Sequence, residues 1–99
     1  MEFKVIVSPR AQKEFYKSID FYALDSNWAP LNFIVAVEKA YSILIQNPYY
    51  RIRYKNVRAI KLKRFPFLLY FVINEKQQTV KILSCFHSKR NPMKRPRVL

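Results

Sequence analysis

The 99-residue chain contains no glycine. Loops that cradle nucleotide phosphates, and turns that press backbone against a dinucleotide, need residues without a Cβ, so P-loop, Rossmann and glycine-elbow chemistry are excluded. Cysteine is almost as scarce: Cys85 stands alone, which rules out an internal disulfide and fits a reducing compartment. No apolar run approaches the roughly 20 residues of a membrane-spanning helix, and Met1 to Ser8 is too short and too charged for a signal peptide. A cytoplasmic protein with no membrane partner is expected. One histidine, one cysteine and six scattered acids cannot supply a metal site with sensible ligand spacing, so neither metal nor cofactor is expected.

Acidic residues also run out halfway along. Arg51 to Leu99 carries fourteen Lys or Arg against the single acid Glu75, and this is the whole net charge of +13, because Met1 to Tyr50 holds five of each sign. Like charges repel across a compact surface and add nothing to fold stability, so the asymmetry by itself points to an anionic partner: nucleic acid, a nucleoprotein, an acidic protein segment or a membrane surface. A chain that is 51% apolar and 16% aromatic is not disordered. Its length suits one domain over residues 1–99, with residues 88–99 a basic, proline-punctuated tail.

Periodicity divides the chain into elements. Phe3, Val5 and Val7 alternate as in a half-buried strand. Ser8 is a candidate N-cap, with Pro9 at the first helical position and Ala11, Phe15, Ile19 and Tyr22 recurring at helical spacing. After Asp25-Ser26-Asn27, Ser26 or Asn27 can cap a second helix whose apolar stripe is Phe33, Val37, Tyr41, Leu44 and Ile45, ending at Asn47-Pro48. Trp28 is expected to staple the two helices together. Tyr49 to Lys55 follows neither period and reads as a loop. Val57 to Lys63, Phe67 to Ile73 and Thr79 to His87 then read as an antiparallel meander, with the doubly apolar Phe67 to Ile73 at its centre. The order β-α-α-β-β-β predicts an α+β fold, an antiparallel sheet with a helical hairpin packed on one face.

Strand alternation also sorts the cations. Arg58 shares parity with Ile60 and Leu62, and Lys61 and Lys63 share parity with Val57 and Ala59, so one face is half core and half basic. Arg64, Lys81, His87, Lys89 and Arg90 extend the candidate surface for a target or a nucleic acid. Cys85 has the opposite parity to Ile82, Ser84 and Phe86; burial as a small apolar residue is expected of it.

Four segments in order resemble the RelE/ParE superfamily of type II toxins: Asn47-Pro48-Tyr49, Val57-Arg58-Ala59-Ile60-Lys61-Leu62, Phe65-Pro66-Phe67-Leu68-Leu69-Tyr70-Phe71, and Phe86-His87-Ser88-Lys89-Arg90-Asn91-Pro92. The resemblance covers nearly the whole chain. It implies a small basic toxin held inactive by a cognate acidic antitoxin. Members similar to RelE cleave messenger RNA on the ribosome, and members similar to ParE inhibit DNA gyrase. RNA cleavage needs groups that take and give a proton, as well as cations for the developing charge. Nuclease members carry an arginine three residues before the tyrosine matched by Tyr70, where this chain has Phe67, and a tyrosine near the C-terminus, where this chain has none. In the ParE-like branch, a histidine followed by arginine and proline closes the last strand, as His87, Arg90 and Pro92 do here. The expectation is therefore a ParE-like toxin that binds gyrase and is not an enzyme. The alternatives are a ribosome-dependent endoribonuclease using Arg58, His87 and Arg90, and an inactive orphan that only binds its antitoxin.

Overall fold

A single residue, Ser8, both ends the first strand and starts the first helix. Its backbone is extended (φ −67°, ψ 157°) and its Oγ accepts the Ala11 N–H at 3.1 Å, so one of the unsatisfied donors of the helix start is capped. The same hydroxyl donates to the Leu83 carbonyl at 3.1 Å, which ties the helix start to a strand 75 residues away. The computed structural model describes residues 2–88. Within them the order is β1 (Lys4–Val7), α1 (Pro9–Ala23), α2 (Ala29–Gln46), β2 (Ile52–Tyr54), β3 (Val57–Lys61), β4 (Phe67–Asn74) and β5 (Thr79–His87). The chain is α+β, as its sequence predicts.

The helical hairpin forms for the expected reasons, with one exception at its bend. Helix α2 starts after Trp28, whose side chain caps nothing; the Ser26 hydroxyl instead accepts the Ala29 N–H at 3.0 Å. Trp28 is 72% exposed and does not staple the helices. That task falls to Tyr22 of α1, whose ring lies 5.5 Å from that of Phe33 of α2, deeper in the bundle where both rings meet Phe65 from the turn before β4 and Phe67 from β4 itself.

The sheet runs β1-β5-β4-β3-β2, which puts the apolar β4 at its centre. Strands β2 to β5 pair antiparallel. The expectation of an antiparallel sheet fails at one edge, where β1 pairs parallel to β5 (Lys4↔Thr79 to Val7↔Ile82). A tight turn forces antiparallel pairing between neighbours in sequence, but β1 and β5 are joined through the rest of the chain, so no turn dictates their direction. The segment read as a loop also contains β2, three residues whose only partner is β3. So short a strand leaves no periodic signature; pairing alone defines it.

A bulge resets the faces of β5. Tyr70 pairs with Ser84 and Phe71 with Ile82, so Leu83 is an extra residue. Cys85 consequently joins the same core as Val80 and Ile82, while Phe86 packs on the opposite side of the sheet. Cys85 is buried as expected, but it sits with Ile82, against the simple parity reading. The main core lies between sheet and hairpin and includes Phe33, Leu44, Leu69, Phe71 and Ile82, all at 0% exposure. Burying each such side chain contributes roughly 1.5–3 kcal/mol. A second cluster made wholly of strand residues, Val57, Ala59, Tyr70 and Phe86, occupies the other face.

Candidate functional site

Among the described residues, the cations of the second half lie around the sheet and do not form one site. Strand β3 is buried in the middle on both sides: Val57 and Ala59 face the second cluster, and Ile60 faces the hairpin core. Arg58 is half-buried; its Nε donates to the Tyr50 carbonyl at 2.6 Å, and its guanidinium lies 5.5 Å from the centre of the Tyr49 ring. Lys61 is exposed at the end of β3, opposite Leu68. Lys81 is exposed on β5, in register with Val72 and Ile6. Lys63 and Arg64 lie in the turn between β3 and β4, where Arg64 takes a positive φ of 72°. Among the described residues, Lys61, Lys63, Arg64 and Lys81 form no ion pair. Lys89 and Arg90 lie outside the described residues.

His87 is the last residue of β5. It pairs with Phe67, and their rings meet edge to face at 5.0 Å. Arg58 pairs with Phe71, four positions further along β4 and on its other side. At about 3.3 Å per residue and about 4.8 Å between strands, the Cα atoms of Arg58 and His87 are roughly 16 Å apart. The backbone thus does not bring these two members of the nuclease set together.

His87 instead borders a cleft of about 360 Å³ shared with Glu14, Lys17, Phe21, Phe67 and Cys85. Glu14 is the residue that sequence reasoning missed. Its Oε1 accepts the Ser84 hydroxyl at 2.8 Å and the Cys85 N–H at 3.0 Å, and its Oε2 stands 3.6 Å from Arg10 Nε. The carboxylate therefore satisfies a β5 backbone N–H beyond Ile82, where the pairing with β1 ends. No sequence signal could reveal it, because its partners lie 70 and 71 positions away.

Burial pushes the Cys85 thiol well above its ordinary pKa, and the Glu14 carboxylate adds to the shift. The thiol stays protonated and unreactive. Burial likewise raises the Tyr41 and Tyr22 phenols. Among the described residues, no group of three His, Cys, Asp or Glu can hold a metal ion, and no helix is long and apolar enough to cross a membrane. The arrangement is thus one of exposed cations around a packed sheet, suited to meeting an anionic surface by charge complementarity.

Solved structures share this arrangement of a helical hairpin against a sheet. The chain superposes on a protein of the chromosomal ParDE toxin-antitoxin system of P. aeruginosa with a TM-score of 0.75 at 17% identity, covering 89% of this chain and 98% of that one. A chain of the RelBE2 toxin-antitoxin complex from Mycobacterium tuberculosis matches with a TM-score of 0.62 at 20% identity, over 88% and 99% of the two chains. A free-state double-arginine mutant of the E. coli toxin RelE matches with a TM-score of 0.65 at 16% identity, over 90% and 86%. At these identities the likeness is one of fold. No functionally curated protein matches the chain. The family model of the ParE toxin of the type II toxin-antitoxin system parDE, however, matches residues 5–92, nearly every element described above. With sequence pattern and fold in agreement over that span, the chain belongs to the ParE toxin family and is a toxin of a type II toxin-antitoxin system.

Proposed function

We propose that this toxin acts by binding a protein target, DNA gyrase, and that a cognate acidic antitoxin neutralises it in a hetero-complex. The observation that carries the reading is Phe67. At the position where nuclease members place an arginine, this chain puts a ring that is 5% exposed and packed among Tyr22, Phe33 and His87. A cation at that place would stabilise developing phosphate charge; a buried ring cannot. Arg58, Lys61, Lys63, Arg64, Lys81 and His87, with Lys89 and Arg90 beyond the described residues, are the proposed target-binding groups. A supercoiling assay with purified gyrase tests the reading: inhibition is expected, and full supercoiling at excess toxin counts against it.

The endoribonuclease reading draws support from one observation, that His87 borders a cleft also lined by Lys17. A histidine and a cation lining one cleft suit proton transfer next to a phosphate. Primer extension on ribosome-bound message separates the readings. Cleavage abolished by His87→Ala would favour the nuclease, and intact message alongside arrested supercoiling favours gyrase.

A further inference from the structure

Lys39 belongs to the charge-balanced first half of the chain, yet the fold carries it to the cations of the second. On α2, Asn32, Val35, Ala36 and Lys39 recur at three- and four-residue intervals and so share one stripe. That stripe faces the turn between β3 and β4, and together they enclose a recess of about 120 Å³ lined also by Lys63, Arg64 and Phe65. Three cations from two separate elements converge there, and no acidic side chain lines the recess. Lys39, Lys63 and Arg64 form no ion pair among the described residues. Arg64 is held in the turn with φ 72°, a conformation costly for a residue with a Cβ.

We propose that this recess is a binding site for one backbone phosphate of a nucleic acid strand. Its three cations offer only donors, and the Asn32 amide offers a further donor, a set that matches the oxygens of a phosphodiester. These donors meet phosphate oxygens, which are the same at every nucleotide, so the contact positions a strand without selecting its sequence. The site lies apart from Arg58 and His87, shares Lys63 and Arg64 with the proposed target-binding groups, and adds Lys39 to them. It assigns a role to Lys39, which the charge distribution along the chain leaves unremarked.

The test uses the full-length toxin and a short mixed-sequence oligodeoxynucleotide. Amide resonances of Asn32, Lys39, Lys63 and Arg64 should shift together and saturably when the oligonucleotide is added. Lys39→Gln and Lys63→Gln alter exposed residues and should fold normally, as their thermal unfolding midpoints would confirm. Because one phosphate contributes about one to the slope of log affinity against log salt, the Lys39→Gln/Lys63→Gln double variant should lower that slope by about one and each single variant by less. Between 50 and 200 mM salt, the loss of affinity then becomes about threefold shallower in the double variant. Lys76→Gln, in the turn at the opposite end of β4, serves as the control and should leave the slope unchanged. The proposal is overturned if Lys76→Gln reduces the slope as much as the recess variants do, since the binding would then be diffuse. Binding of inorganic phosphate without binding of the oligonucleotide also overturns it.

Discussion

The two halves of this chain treat charge in opposite ways. In residues 2–50, Arg10 pairs with Glu14, and Glu14 in turn clamps the β5 bulge through Ser84 and Cys85. In residues 51–88, Lys61, Lys63, Arg64 and Lys81 stand without ion pairs among the described residues, and the carboxylate of the lone acid Glu75 accepts the Tyr49 hydroxyl at 3.4 Å. Surface ion pairs are worth little to stability, so their absence harms the fold little; an unneutralised cationic surface instead acts at a distance, on anions. The comparison separates two jobs. Apolar layers hold the molecule together, and Lys61, Lys63, Arg64 and Lys81 take no part in that through ion pairs among the described residues.

That separation can be broken or sharpened by substitution. The largest effect is expected at the seam of sheet and hairpin. Phe33→Ala removes a fully buried ring that contacts Phe15, Tyr22, Phe65 and Phe67, and should cost about 3–5 kcal/mol in urea unfolding. Toxicity should vanish with the fold. Glu14→Ala comes next: it leaves the Ser84 hydroxyl and the Cys85 N–H without their acceptor and should cost about 1–3 kcal/mol. If Glu14→Ala were neutral, the clamp would not be what joins α1 to the bulge.

Alkali probes the same core. Tyr22, Tyr41 and Cys85 all have pKa values raised by burial, so above the ordinary thiol value of 9.0 the unfolded chain loses protons that the folded chain keeps. Stability contributed by these groups is complete below that pH, and should fall as pH climbs past it and again past the ordinary phenol value of 10.0. Chemical denaturation from pH 7 to pH 11 would show the decline, and a flat profile would contradict it. In the same range, alkylation of Cys85 should be far slower in the native protein than in denaturant.

Smaller effects belong to the turns and to the surface. Lacking glycine, the chain places Lys55, Arg64 and Gln78 at positive φ. Gln78→Gly should therefore stabilise the β4–β5 turn, by about 0.5–1 kcal/mol, as read from the denaturation midpoint. Lys61→Gln and Lys81→Gln should change stability by no more than about 0.5 kcal/mol. Growth arrest on induction should nevertheless weaken in both. Equal loss of stability and toxicity in these two variants would erase the distinction between the halves.

How far the sequence could be read depended on how local each determinant is. Ser8 and Pro9 start α1 by bonds within one turn, and Asn47-Pro48 stops α2. The doubly apolar β4 revealed its central place directly. The Trp28 staple failed because exposure at a bend depends on how the helices meet, and β2 was missed because only pairing with β3 defines it. The site was less legible still. Alternation did not reveal which cations converge: Arg58 and His87 end up far apart, while Lys63 and Arg64 meet Lys39.

Composition, helix caps and periodicity on their own determined an α+β fold with a cationic second half, because those signals act over a few residues; the toxin family came from the resemblance of four segments taken together. Tertiary structure alone decided the parallel pairing of β1, the Leu83 bulge, the Glu14 clamp and the recess around Lys39. Each of these joins residues far apart in the chain, and the free energy that selects among such contacts exists only once the layers have packed.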